Sequence, residues 1–280
     1  MIKCKKFLVF ANEVKDKELR WSKSVVEYIQ IRGAEAVLYV SGQEDERDTL
    51  DTDADVIISM GGDGTMLRVS HVLSNRNIPV IGVNLGTVGF LTEVVVTEIK
   101  GMIDRLLIGD YSIEERMMLS GTVYTSDGVK VHDALNDIVF GRDSALRLIS
   151  VELKVNGRHF DTIDADGVII STPTGSTGYN LSAGGPIVQP DAKMIVMTPI
   201  SPYSLSRRSV VFGVDDKIEL VLLEKRMDKD SNGLVAFDGA ENYHMKVGDR
   251  VEICTSDSTL KLIKLDDSNV YEILRKKLGG

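Results

Sequence analysis

The chain has 280 residues, the length of about two ordinary domains, and its 43% hydrophobic and 27% charged content is that of a chain that folds. A net charge of −9, 6% aromatic residues and a single Trp21 exclude a nucleic-acid polymer as the expected partner, because tracking phosphates and stacking on bases require cations and rings. Cys4 and Cys254 lie at opposite ends with no metal-ligand spacing, and no apolar run approaches a membrane span. The opening MIKCKKFLVFANE has too short an apolar stretch for a leader, so the expectation is a cytoplasmic protein with reduced thiols and no membrane partner. An anionic substrate would have to be met by a few placed cations, by backbone N–H groups or by a metal ion.

The first hundred residues alternate in period. Phe7–Phe10 reads as a strand, Glu18–Arg32 as a helix, Val37–Val40 and Asp55–Met60 as strands, Thr65–Ser74 as a helix, Pro79–Val83 as a strand, and Thr97–Ile108 as a helix closed by Gly109. This alternation predicts an α/β domain over residues 1–109 with an open, largely parallel sheet. Beyond Gly109 the rhythm becomes strand and turn: Leu119–Tyr124, Leu146–Val155, Val168–Ser171, Met194–Met197, Ile218–Leu223, Leu234–Phe237 and Arg250–Cys254. Asn156-Gly157 is the signal of a type I′ hairpin, which needs positive φ at both central residues. A mostly β domain is therefore expected over 110–263. A last helix, capped by Ser268 and running to Leu278 within 264–280, is expected to pack back on the first domain.

Common catalytic motifs are absent: there is no G-x-x-x-x-G-K-[ST], no G-x-G-x-x-G, no H-E-x-x-H and no G-x-S-x-G. Four scattered histidines and no His/Cys cluster make a zinc site unexpected, and no protein side chain is singled out as a metal ligand beyond Asp63, which could bind a metal beside phosphates. Gly61-Gly62-Asp63-Gly64-Thr65 stands between an apolar strand and a helix. There glycines permit close backbone approach, the helix amino end offers N–H groups to a phosphate, and Asp63 can accept a proton. The same glycines also suit a plain tight turn. A second glycine-rich stretch, Gly82–Phe90, follows the next strand, and it fits a ligand loop or three turn glycines with a core Phe90 equally well. A third run, Asp164–Gly167 and then Ser171–Pro186, is rich in hydroxyls and glycines and poor in charge, as an ordered cradle for a polar ligand would be. Asn136-Asp137, taken alone, reads as an exposed turn.

Together these stretches, with Pro202–Val210, resemble the NAD kinases in order and spacing from about Val56 to Gly239. The GGDG glycines alone are shared with diacylglycerol and sphingosine kinases and, more loosely, with phosphofructokinases. The resemblance implies transfer of a phosphoryl group from ATP to the 2′-hydroxyl of the adenosine ribose of NAD, with Mg²⁺ or another divalent cation. It also implies a homo-oligomer, dimer or tetramer. Carried over by position, Asp63 is the general base, and Gly61, Gly62 and Gly64 form its loop. Asn136 and Asp137 meet the ribose hydroxyls and the adenine, and Phe90 packs near the adenine. Thr174, Thr177, Gly178, Tyr179, Asn180, Leu181, Ser182 and Ser201 join the binding set, and Asp166 meets the nicotinamide end. Arg68 and Arg147 stand at ligand-contact positions and at the same time read as solvated surface charges. Asp164 lies where some members carry a basic residue. Gly178 replaces a common Ala, Arg208-Ser209 an Arg-Pro, and Asp238-Gly239-Ala240 lacks a Gln that often follows. A soluble lipid kinase of the same superfamily and a non-catalytic nucleotide sensor are the alternative readings.

Overall fold

The computed structural model describes residues 3–41, 52–73, 77–86, 89–143, 147–224, 232–266 and 275. The chain divides into two compact units, Met1–Glu115 with Leu260–Gly280, and Arg116–Thr259. The second break assigns Leu260 onward to the first unit, a few residues before the expected start of the terminal segment. The helix expected to begin at Ser268 lies outside the described residues, Arg275 apart.

In the first unit, β1 (Lys6–Asn12), β2 (Glu35–Ser41), β3 (Val56–Gly61) and β4 (Val80–Asn84) pair in parallel in the order β2-β1-β3-β4. The short β5 (Val94–Val95) runs beside β4, and Leu262 pairs in parallel with Val80. All six residues of β3 and all five of β4 are buried, as expected of parallel strands covered on both faces. Because side chains alternate along a strand, Phe7, Val9, Ile58, Met60, Ile81 and Val83 share one face. That face packs on α1 (Arg20–Ile31) through Val25 and Ile29 and, through Met102, Ile103 and Leu106, on another helix, Ile99–Ile108. The opposite face meets α2 (Asp63–Leu73): a methyl built on Gly82 would come 3.0 Å from Met66 Sδ. In chain order, Ile99–Ile108 is α3, and it ends at Gly109 with φ +80°, as its C-terminal signal predicts. The first helix starts at Arg20 and not at Glu18, because Glu18 and Leu19 take left-handed φ (59° and 56°) and Asp16 caps the N–H groups of Trp21 and Ser22.

The second unit is two antiparallel sheets with a common core. One contains β6 (Ser112–Thr125), β7 (Gly128–Ala134), β9 (Ile149–Val155), β10 (Arg158–Ala165), β14 (Ile218–Leu223) and β17 (Arg250–Lys264). The other runs β13-β12-β11-β8-β15-β16, made of Val210–Gly213, Met194–Ile200, Gly167–Ser171, Asp137–Arg142, Asn232–Phe237 and Glu241–Lys246. Leu119, Val151, Leu153, Leu220 and Val251 of the first interlock with Phe140, Ile170, Ile195, Val235 and Phe237 of the second. Asn156 and Gly157 have φ of 53° and 74°, so the hairpin between β9 and β10 has the expected turn. The fold class is thus the expected one, an α/β unit with a parallel sheet and a mostly β unit.

Candidate active site

The GGDG segment is a strand end joined to a helix start. Gly61 is the last residue of β3, and a methyl on it would fall 2.1 Å from Thr65 Oγ1, so only glycine lets the helix turn back this tightly. Gly62 C=O accepts the N–H groups of Thr65 (2.9 Å) and Met66 (3.1 Å), which opens α2 at Asp63, two residues ahead of the expected Thr65. Asp63 and Gly64 therefore occupy the first turn, where a carboxylate suits the positive end of the helix dipole and free N–H groups suit an anion.

Both Asp63 oxygens are held by the second glycine-rich stretch. Phe90 N–H donates to Oδ2 at 2.8 Å and Leu91 N–H to Oδ1 at 3.0 Å. A methyl on Gly89 would lie 1.8 Å from Asp63 Oδ1, so this close approach requires a glycine there. Each oxygen keeps a second lone pair, the capacity a proton acceptor needs. The ligand-loop reading of Gly82–Phe90 gains from this, although Thr87 and Val88 lie outside the described residues. Phe90 is half-buried, and Arg68, exposed on α2, donates to Ser41 Oγ at 3.4 Å.

In the second unit Asn136-Asp137 is not an exposed turn. Asp137 is buried and begins β8, and Asn136 is half-buried. The reason lies in Asp238, whose carboxylate accepts the N–H groups of Leu135 (2.8 Å), Asn136 (2.8 Å) and Asp137 (3.0 Å). Loss of solvent, and after it the nearby Asp238 carboxylate, push the Asp137 carboxyl up to about 7. Thr172 binds the same segment from the other side, Oγ1 to Leu135 C=O at 2.6 Å and N–H to Asn136 C=O at 2.9 Å.

Gly175 touches this segment directly, since a methyl on it would fall 2.1 Å from Asn136 O. A methyl on Gly178 would lie 3.6 Å from Asn136 Nδ2 and 4.0 Å from Asp137 Oδ2, so Gly178 borders both functional groups. Thr174 is buried and its Oγ1 has no partner among the described residues, and half-buried Thr177 donates to Thr174 C=O at 3.2 Å. Tyr179 and Ser182 are exposed and Leu181 is half-buried, on the single-turn α4 (Tyr179–Ser182).

Asn180 differs from the ligand contact expected of it. It is fully buried, its Nδ2 donates to Ser176 C=O (3.0 Å) and Pro186 C=O (2.9 Å), and its Oδ1 accepts Thr198 Oγ1 (2.7 Å). Its amide shapes the cradle. Ser209, where Arg-Pro was the pattern, joins that knot through Thr198 at 2.9 Å. Asp166 pairs with Arg142 at 3.1 Å, a residue that motif reading did not single out. Asp164 and Arg147 are exposed, and Ser201 is exposed with φ +45°. Gly89 and Asp238 stand inside stretches that the sequence marks, but only the structure shows what they do: Gly89 makes room for the Asp63 carboxylate and Asp238 holds the 135–137 segment. The one signal for Asp238 was its Asp-Gly turn, with φ of 49° and 69°.

Residues 5–111 match the family model of the ATP-NAD kinase N-terminal domain, and residues 135–265 that of the ATP-NAD kinase C-terminal domain. The chain is 38% identical to the NAD kinase of Lachnoclostridium phytofermentans, covering 98% of this chain and 99% of that one. It is 40% identical to the NAD kinase of Agathobacter rectalis, covering 99% of each. Among solved structures, an NAD kinase from Archaeoglobus fulgidus in complex with ATP superposes with TM-score 0.78 at 27% identity, covering 98% of both chains. Yeast NADH kinase complexed with NADH shares the fold with TM-score 0.85 at 24% identity, over 98% of this chain and 87% of that one.

Proposed function

Because the chain belongs to the NAD kinase family, we infer that it transfers the terminal phosphoryl group of ATP to the 2′-hydroxyl of the adenosine ribose of NAD, giving NADP and ADP. The observation that carries the chemistry is the Asp63 carboxylate, fixed by two backbone N–H groups at the amino end of α2. A ribose hydroxyl is a poor nucleophile, and a carboxylate within hydrogen-bond reach takes its proton as the new O–P bond forms. The bond from the transferred phosphorus to the ADP oxygen breaks in the same displacement, and ADP leaves. Such a transfer needs mainly alignment and charge compensation. The glycine-lined turn and first-turn N–H groups of α2 suit that role without a P-loop lysine motif.

Among the described residues there is no group of three His, Cys, Asp or Glu side chains able to hold a metal ion. In this proposal Mg²⁺ would arrive on ATP, with Asp63 the carboxylate suited to share it, and when bound the ion would offset charge on the phosphates. We assign dinucleotide recognition to Asn136, Asp137, Thr174, Thr177, Gly178, Tyr179 and Ser182. An ionised Asp137 accepts hydrogen bonds from ribose hydroxyls, and Asn136 presents an amide for the adenine edge. No helix among the described residues is long and apolar enough to cross a membrane. A homo-oligomeric, cytoplasmic enzyme is part of the proposal.

The test is incubation with ATP, Mg²⁺ and either NAD or diacylglycerol. NADP forming from the first mixture and no phosphorylated lipid from the second supports the reading. Binding of NAD with no ATP-dependent product would instead indicate a sensor, and lipid phosphorylation a lipid kinase.

A further inference from the structure

Two polar groups beside the glycine turn have no role in the chemistry above. Lys15 lies in the turn after β1, and that turn is tied to the start of α2 by Asn12. Asn12 C=O accepts Lys15 N–H (3.0 Å) and Asp16 N–H (2.8 Å), and its Oδ1 accepts Val14 N–H (3.1 Å). Its Nδ2 donates to Thr65 Oγ1 at 3.2 Å. The turn so fixed carries the Lys15 ammonium over Gly62, where a methyl on the glycine would come 3.7 Å from Nζ. Lys15 is exposed, and its Nζ makes no ion pair or hydrogen bond with any described residue. Other lysines of the chain do meet carboxylates: Lys154 meets Glu219 at 2.7 Å and Lys264 meets Glu93.

The second group is Asn84, at the end of β4 and in register with Gly61 at the end of β3. It is 4% exposed; its Oδ1 accepts Gly86 N–H at 2.8 Å, which fixes which way the amide points, and its Nδ2 has no partner among the described residues. Strand alternation puts it on the face of Gly82, the face that packs on α2. A buried amide donor left without an acceptor is unfavourable unless a ligand supplies one.

A free ammonium and an orphan amide donor thus flank Gly61-Gly62 at the amino end of an eleven-residue helix. Lys15 Nζ brings a positive charge and Asn84 Nδ2 a donor, a combination that suits a polyanion. We propose that Lys15 Nζ and Asn84 Nδ2 are the side-chain donors that hold the terminal phosphates of ATP. The assignment rests on the kinase reading of the Gly61–Thr65 turn. An ammonium on a flexible stem suits a phosphate tail as a point charge. Here it comes from the turn after β1 and not from the glycine loop itself.

Calorimetric binding to the full chain tests it with three probes: a non-hydrolysable ATP analogue with Mg²⁺, inorganic tripolyphosphate, and NAD. In Lys15→Gln the analogue and tripolyphosphate are expected to bind at least about tenfold more weakly, the worth of a hydrogen bond to a charged group, while NAD stays within about twofold. Lys15→Arg should restore most of the loss. Asn84→Asp keeps an acceptor for Gly86 and turns the donor into an anion, so it should weaken the same two probes. Lys23→Gln, whose ammonium meets Glu18 C=O at 3.1 Å, should leave all three unchanged. Unchanged phosphate binding in Lys15→Gln, an equal loss of NAD binding, or a wild type that binds neither phosphate probe would overturn the assignment. Because Lys15 is exposed, its variants decide the matter even if Asn84→Asp does not fold. A wild type that binds ATP through Lys15 yet makes no NADP would contradict the kinase reading and leave this assignment standing.

Discussion

Each unit fixes a segment through a carboxylate that accepts main-chain N–H groups, but the two differ in what that carboxylate is left to do. In the first the held group is the reactive one: the Asp63 carboxylate is clasped by two main-chain N–H groups, and the glycine at 89 clears the space around it. In the second, side chains are knitted to main chain. Asp238 and Thr172 fix the 135–137 segment, Asn180 locks the loop from Ser176 to Pro186, and Asp137 ends up buried. In the proposed reaction the first holds the proton acceptor, beside the first-turn N–H groups of α2. The second, to which dinucleotide recognition is assigned in that proposal, is packed and preorganised. Damage to the first should therefore appear in turnover, and damage to the second in affinity and stability.

The largest expected effect is that of Asp63→Asn, which keeps size and hydrogen-bonding shape but removes the proton acceptor. Its kcat should fall by about 10²–10⁴-fold, the usual worth of a general base, with NAD affinity by calorimetry little changed. Gly89→Ala should follow, because its methyl meets Asp63 Oδ1 at 1.8 Å and must displace the carboxylate. Steady-state kinetics should show kcat lowered by roughly 10²-fold and KM for NAD nearly constant, as for a misplaced catalytic group.

Gly175→Ala is the matching lesion in the second unit, since its methyl meets the Asn136 carbonyl at 2.1 Å. It should cost about 1–3 kcal/mol in denaturant unfolding and raise KM for NAD more than it lowers kcat. An equal effect of Gly89→Ala and Gly175→Ala on both parameters would break the contrast.

Acidity separates the units more gently. Asp137 titrates near 7 when folded, raised from an ordinary 3.8, so the folded chain holds this proton to a higher pH than the unfolded one. Its contribution is fully favourable below about pH 4 and is lost as pH rises through about 7. Asp137→Asn should be as stable as wild type near pH 4 and more stable at pH 8, with thermal melts as the readout. The smallest effect is expected of Gly178→Ala, whose methyl would sit 3.2 Å from Gly175 O and needs only a few tenths of an ångström of adjustment. Affinity for NAD should change by no more than about threefold.

Sequence periodicity was enough to place most of the first unit, because its buried parallel strands are continuous apolar runs and its helices carry clean amphipathic spacing. The second unit was less legible. The strand β10 reads RHFDTIDA and β16 reads ENYHMK, each with one face in solvent and too few apolar residues to stand out. At the site, motif glycines and Asp63 were readable because turn geometry is local. The bonds that fix them are not. Asp63 is held from 27 and 28 residues away, and the 135–137 segment from about a hundred, by Asp238. The bonds of Asn180 are hidden for the same reason: in sequence it is an amide in a hydroxyl-rich loop, and its side-chain partners Pro186 and Thr198 are fixed by the fold.

The central claim is that Asp63 takes the proton from the ribose hydroxyl that becomes phosphorylated. Phosphorus NMR of the products from ATP, Mg²⁺ and NAD, recorded for wild type and for Asp63→Asn with NAD binding checked in parallel, tests it most directly. The account predicts a 2′-phosphomonoester signal from wild type and almost none from the variant, although both bind NAD. A variant that forms the same ester at the wild-type rate, or a wild-type ester at a different hydroxyl, would contradict it.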